Sequence, residues 1–197
     1  MVYRTILLFG PPGAGKGTWG KILHQMPGLY HFSSGDMFRA LSPESEMGQL
    51  ALSCIRKGEL VPDVEALDMW REHMGRLISF GEFKPDDHYL VLDGVPRTKS
   101  QACMTERDIQ VLLILSLDCP DRDVLVQRLY GRALEQNRWD DANESVIRNR
   151  FEVYDDLIAD TLSHYPKSLI KRIDVSQVPH KILLDVSKAL VDHLGEA

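Results

Sequence analysis

The sequence predicts an α/β fold in which a five-stranded parallel sheet is covered by helices on both faces. Three observations lead there. Short apolar runs alternate along the chain with segments of helical period. Glycine and proline clusters punctuate the joins. The chain has 197 residues, 44% of them hydrophobic and 26% charged, which suits one domain with a real core. Residues 5–9 form an apolar run ended by Gly10-Pro11-Pro12, a buried strand. Residues 16–26 read as a helix stopped by Pro27-Gly28, and 31–33 as a short second strand. Helical patterns follow at 44–57 and 63–79, then strands at 89–92 and 111–117. Residues 121–130 form a helix just after Pro120, and 144–165 a long one. Residues 168–173 are the last strand and 179–194 the last helix. Apolar strands separated by helices make a parallel sheet buried on both sides. Ligands of such sheets bind beyond the carboxyl ends of the strands, so functional residues belong just after Phe9, Ser33, Leu92 and Leu117.

Composition excludes several function classes. The longest apolar stretch, 111–117, is far shorter than the ~20 residues of a membrane-spanning helix. Residues 1–9 run straight into a glycine-rich motif and lack the pattern of a secretory signal. Net charge is −6, so the overall field does not suit nucleic acid, and any polyanion must meet a local arginine cluster. Cys54, Cys103 and Cys119 are scattered without a CxxC pair, which argues against a disulfide framework and against zinc. They read as small buried hydrophobes in a reducing cytoplasm.

The strongest motif is Gly10-Pro-Pro-Gly-Ala-Gly-Lys-Gly-Thr18, a P-loop placed between the first strand and the first helix. Gly13, Gly15 and Gly17 are expected to take positive φ and let the backbone approach phosphate closely. Successive N–H groups then point inward at a helix N-terminus, where the dipole favours anions. Lys16 adds a point charge for β- and γ-phosphates. Gly17 stands directly after the lysine, with the hydroxyl displaced to Thr18, so a metal would be held more by phosphates and water.

Further motifs come in order along nearly the whole chain. They are Ser33-Ser-Gly-Asp-Met-Phe-Arg39, Gly58-Glu-Leu-Val-Pro-Asp63, and Leu92-Asp-Gly-Val-Pro-Arg-Thr98 with Gln101. Arg128-Leu-Tyr-Gly-Arg132, Arg138-Trp-Asp-Asp141 and Arg150-Phe-Glu-Val-Tyr154 complete the series. Together with the P-loop they resemble the adenylate kinase family in its short-lid, zinc-free form. The resemblance implies transfer of the γ-phosphoryl of Mg·ATP to AMP, giving two ADP, by a cytoplasmic monomer that engages neither nucleic acid nor membrane. It implies a core at 1–33, 63–131 and 142–197, a helical NMP-binding insert at 34–62 and a lid at 132–141.

The same resemblance implies residue roles. ATP would meet Gly13, Ala14, Gly15, Lys16, Gly17, Thr18, Arg128, Arg132 and Gln177. AMP would meet Ser34, Arg39, the backbone of Glu59, Leu60 and Val61, then Gly94, Val95, Pro96, Arg97 and Gln101. Arg39 and Arg97 suit a bidentate phosphate clamp, and the Gln101 amide suits an adenine edge. Lys16, Arg97, Arg132, Arg138 and Arg150 would surround the transferring phosphoryl, with Arg138 and Arg150 also reaching AMP. Asp140 and Asp141 would pair with these arginines, and Asp93 would hold Mg²⁺ through water. Arg148 competes with Arg150 because the 141–150 segment has one extra residue relative to the family. Val175 replaces a glycine near the ATP base, and Trp19 stands where glutamine is common. Thr98 and Gln101 favour AMP over UMP or CMP, the nearest rival acceptors. An Asn-Lys-x-Asp guanine motif is missing, against a GTPase switch. A catalytically dead nucleotide sensor is disfavoured because the arginines are present.

Overall fold

The computed structural model describes residues 1–136 and 138–195. Its centre is β1 (Tyr3–Phe9), flanked by β3 (Tyr89–Asp93) and β4 (Ile109–Asp118). Outside these lie β2 (Leu29–Ser33) beside β3 and β5 (Ile170–Asp174) beside β4. All four pairings are parallel, and the order is β2-β3-β1-β4-β5. Each return therefore needs a crossover, which the helices supply.

The strand side chains alternate between two cores, as the period of two demands. Leu7 and Phe9 join Trp70, Met74 and Phe83 on one face of the sheet. Ile6 and Leu8 join Trp19, Leu23, Leu125 and Val186 on the other. The first face carries α4 (Asp63–Ser79); the second carries α1 (Lys16–His24), α6 (Arg122–Gln136) and α8 (Pro179–Leu194). Trp19 thus has a structural role: it is 7% exposed, and its ring lies beneath the P-loop, 3.6 Å from where a Cβ on Gly15 would stand.

Several elements differ from their sequence expectation. Two short helices escape a periodicity reading, α2 (Ser34–Arg39) and α5 (Lys99–Thr105). Each spans fewer than two and a half turns, too few to show a stripe, but each has a side-chain cap. Ser33 accepts from the Asp36 N–H, and Thr98 accepts from the Gln101 N–H. The helix expected at 121–130 runs on to Gln136, because Gly131 costs about 1 kcal/mol without ending a helix. The first five residues of the expected lid are therefore helical, its residue 137 lies outside the described residues, and Trp139–Asp141 is a 3₁₀ turn. The first helix stops at His24, short of 26, and the second strand begins earlier, at Leu29. The first core face also receives α3 (Glu46–Lys57), through Cys54 and Ala51 of the Trp70 cluster. Long α7 (Glu144–Ser163) is capped by Asn143, whose side-chain Oδ1 accepts from the Ser145 and Val146 N–H groups. Cys54 and Cys119 are buried as expected, whereas Cys103 is exposed on α5. Among the described residues no helix is long and apolar enough to cross a membrane.

Candidate active site

The carboxyl ends of β1 and β3 open onto one crevice, at the point where the chain switches from one side of β1 to the other. The loop after β1 puts Gly10, Gly13 and Gly15 at positive φ. Gly15 caps α1 in the left-handed region, φ 88°, without a side-chain cap, leaving the first-turn amides for a ligand. Gly17 departs from expectation: it is already helical and needs no positive φ. Its missing side chain matters differently, since a Cβ there would stand 3.9 Å from Asp93 Oδ2.

Lys16 Nζ donates to the carbonyls of Gly10 (2.6 Å) and Pro11 (3.2 Å). Crowding by protein pushes its pKa down to about 8; Asp93 opposes this, and Arg97, Arg150 and Arg132 add to it. Those three cations, from a loop, α7 and α6, all lie close enough for Lys16 to feel them. Arg97 Nε donates to Gly94 O at 2.8 Å, and its pKa falls to about 10 through the same crowding. Asp93 opposes this too, while Arg150 and Arg39 add to it. The Arg97 side chain is nonetheless water-accessible where it faces the cavity, so solvent there screens part of the repulsion.

Above this floor sits an aspartate–arginine lattice. Arg132 grips Asp141 with two bonds, 2.5 Å from Nε and 2.9 Å from Nη2. Arg150 Nη1 donates to Asp141 Oδ1 at 2.6 Å and to Asp140 Oδ2 at 3.1 Å. Arg39 reaches the same Asp140 oxygen at 3.4 Å, and Arg138 donates to Asp36 at 2.8 Å. Asp140 and Asp141 are 3% and 0% exposed, as buried carboxylates with such partners can be. Burial alone would raise the Asp141 pKa, but the bonds and charge of Arg132, then Arg150, bring it below the usual carboxylate range.

One cavity gathers most of the expected acceptor-side residues. Lys16, Arg39, Glu59, Leu60, Val61, Gly94, Val95, Pro96, Arg97, Gln101 and Arg150 all line it. Ser34 lies just behind, 1% exposed, its Oγ only 2.4 Å from where a Cβ on Gly94 would be. Among the described residues Ser34 Oγ and Arg39 Nε are buried without a hydrogen-bond partner. Two unpaired groups at a cationic cavity fit a ligand that accepts hydrogen bonds. Arg132 and Arg138 join through the lattice rather than the lining. Arg148 does not: it is 72% exposed and pairs with Glu144 on its own helix.

Apart from Lys16, which lines that cavity, and Arg132, which joins it through the lattice, the expected donor-side residues lie outside its lining. Ala14 is 1% exposed, so its side chain belongs to the core, and Thr18 is exposed. Arg128 Nη2 donates to Val175 O at 2.9 Å. The Val175 side chain is buried, so a β-carbon where the family often has glycine turns inward and leaves its carbonyl to the arginine. Gln177 Nε2 donates to Asp174 O and Asp185, each at 3.0 Å. Sequence reasoning passed over Asp36 and Asp63. Both stood inside quoted motifs, but a carboxylate's partner shows only once the chain is folded.

Residues 8–170 match the family model described as Adenylate kinase. The chain belongs to the adenylate kinase family. Curated relatives agree along most of its length. It is 36% identical to the adenylate kinase of Flavobacterium psychrophilum over 166 residues, covering 81% of this chain and 83% of that one. It is 37% identical to the adenylate kinase of Kocuria rhizophila over 175 residues, covering 86% and 89%. The uridylate kinase of Saccharomyces cerevisiae is similar too, 33% identical over 193 residues, covering 96% and 91%. Membership of the adenylate kinase family makes the chain a phosphotransferase.

Proposed function

We propose that the protein catalyses reversible transfer of the γ-phosphoryl group of Mg·ATP to AMP, giving two ADP. The observation that carries this is the convergence of Lys16, Arg97, Arg132 and Arg150 beside a cavity that Gln101 helps line. AMP enters that cavity with its phosphate toward Arg39 and Arg97 and its base toward Gln101 and the 59–61 backbone. ATP lies along the P-loop, its phosphates on the α1 amides and Lys16, its base near Arg128 and Gln177. An oxygen of the AMP phosphate attacks the γ-phosphorus in line. The new O–P bond forms as the β,γ-bridging O–P bond breaks, and ADP leaves with that electron pair. The acceptor phosphate is already largely ionised near neutral pH, so no general base is required. Catalysis is positioning plus stabilisation of the spread negative charge by guanidinium groups.

Asp93 fits a Mg²⁺ contact through water. Its carboxylate ends β3, is 7% exposed, and faces the gap left by Gly17 beside Lys16. When bound, the ion would neutralise charge on the ATP phosphates. Water competes as acceptor, so the site must close before chemistry. The 34–62 insert and the 132–141 segment are the moving parts in this reading. The enzyme works as a cytoplasmic monomer on ATP, AMP and ADP.

The uridylate kinase relative supplies the second reading, UMP or CMP as acceptor. Thr98 and Gln101 favour AMP. A panel decides: purified protein with Mg·ATP and AMP, UMP, CMP or GMP, with each diphosphate product detected directly. Fastest turnover is expected with AMP. Preference for UMP or CMP would install the second reading, and no diphosphate from any acceptor would defeat both.

A further inference from the structure

Gln101 is 2% exposed, yet it is one of the residues that line the acceptor cavity. Its two ends are fixed by different partners. Oε1 accepts from the Arg97 backbone N–H at 2.7 Å, and Nε2 donates to Asp63 Oδ1 at 2.8 Å. The other Asp63 oxygen accepts from Thr98 Oγ1 at 2.9 Å, and that hydroxyl accepts from the Gln101 N–H at 3.0 Å to cap α5. Asp63, the first residue of α4, thereby ties α4 to α5 and to the loop carrying Arg97.

The two ends of an amide have nearly the same shape, so only chemistry decides which way round it sits. A backbone N–H can only donate, and a carboxylate can only accept. Turning Gln101 by 180° would set its NH₂ against the Arg97 N–H and its oxygen against the Asp63 carboxylate. Both contacts would be repulsive. One orientation therefore survives, with oxygen on the Arg97 side and nitrogen on the Asp63 side. Each end keeps one unused valence for a ligand: a lone pair on Oε1 and a hydrogen on Nε2.

Purines differ in the order of such groups. Adenine carries an amine donor at C6 beside a ring-nitrogen acceptor. Hypoxanthine and guanine carry a carbonyl acceptor there beside a ring N–H. An amide free to turn over can serve either order; a pinned one serves a single order. Sites that leave a buried polar group unpaired against the wrong ligand discriminate strongly. We propose that Asp63 is a positioning residue that pins the Gln101 amide and thereby sets which purine monophosphate the acceptor cavity takes. This deepens the acceptor reading above and rests on it.

The test compares Asp63→Ala, Asp63→Ser and Asp63→Asn with the wild type, using AMP and inosine monophosphate as acceptors. Alanine removes the Asp63 end of the pin and leaves the amide held by the Arg97 N–H alone, free to tilt. Serine also removes it, being too short to bridge, while suiting a helix start, and so guards against simple unfolding of the alanine variant. Asparagine keeps it, giving its oxygen to Gln101 and its NH₂ to Thr98 Oγ1. In the alanine and serine variants the KM for AMP rises about tenfold, while kcat at saturating AMP falls less than about threefold. Their ratio of kcat/KM for AMP over inosine monophosphate falls about tenfold, and the asparagine variant keeps the wild-type ratio. A residue that merely starts α4 would lower stability without moving that ratio. An unchanged ratio in both alanine and serine variants overturns the inference. A wild type that turns over no AMP overturns the acceptor reading instead, so the two failures are told apart.

Discussion

The floor of the cavity and its roof hold their cations in opposite ways. On the floor, Lys16 and Arg97 rest on main-chain carbonyls of Gly10, Pro11 and Gly94. Carbonyls are neutral, and the pKa values of both groups are driven down by crowding and by one another's neighbours. On the roof, Arg132, Arg138 and Arg150 rest on the carboxylates of Asp36, Asp140 and Asp141. A floor cation has no carboxylate to leave when phosphate arrives. A roof cation must share or exchange one. The floor is thus built to bind and the roof to switch, and four changes break or sharpen that contrast.

The largest effect falls on the floor. Lys16→Met keeps the length of the side chain and removes the charge. Loss of one preorganised cation at a phosphoryl-transfer centre costs at least ~10²–10³ in kcat. The fold survives, because the lysine is held by two carbonyls that can turn to water, and α1 stays packed through Trp19 and Leu23. Steady-state kinetics with a melting curve checks both halves. Near-normal turnover, or collapse of the fold, would remove Lys16 from the floor.

On the roof, stability is the readout. Asp141→Asn leaves Arg132 and Arg150 without their shared carboxylate in a fully buried position. Breaking buried pairs costs about 3–5 kcal/mol, and the arginines' partial exposure lowers this to roughly 2–3 kcal/mol. The melting temperature should fall by about 5–10 °C. Acid sensitivity should change too. A carboxylate whose folded pKa is depressed contributes stability above its unfolded pKa and loses it as pH falls through the folded value. The variant lacks that contribution, so its stability declines less between pH 4 and lower values than the wild type's does. Equal acid profiles would mean that Asp141 is not the roof's anchor.

The floor responds to pH with the same sign but in a more alkaline window. Lys16 titrates near 8 when folded, against 10.5 ordinarily. Between those values the unfolded chain binds more protons, so this group makes stability rise with pH. ATP restores the charge, so binding takes up a proton, and affinity falls by up to tenfold per pH unit above about 8. Titration calorimetry at pH 8.5 in two buffers of different ionisation enthalpy measures that uptake directly. No uptake would place Lys16 in a better-compensated setting than its two carbonyls provide.

Much of this contrast was legible in the sequence, but unevenly. The order of apolar runs and helical stripes carried all five strands and the buried parallel sheet. The P-loop and the arginines after β3 and in α6 and α7 carried the cavity, since chemistry at strand ends is local in sequence. What escaped was short or paired. The helices Ser34–Arg39 and Lys99–Thr105 are too brief for a stripe, although Ser33 and Thr98 announce them as caps. Gly17 was read as a positive-φ residue because it stands among glycines that are, whereas the helix begins one residue before it. Asp63 looked like an ordinary first-turn acid, and its partner Gln101 is 38 residues away. Burial of Asp140 and Asp141 could be expected only in company with arginines from three other segments.

The smallest effect tests the boundary of the roof. Arg148 and Arg150 are two residues apart on α7, and a helix turns about 200° over that interval. They therefore face opposite ways. Arg148 is 72% exposed, one turn from Glu144, and Arg150 points at Asp140 and Asp141. An exposed pair four residues apart stabilises a helix only slightly. Arg148→Ala should then lower the melting temperature by about 1–2 °C and leave kcat and both KM values within error. Arg150→Ala should cost at least ~10² in kcat by removing a roof cation. If Arg148→Ala instead produced the larger loss of turnover, the helix would have to rotate by half a turn to use it, and the roof described here would be the wrong face of α7.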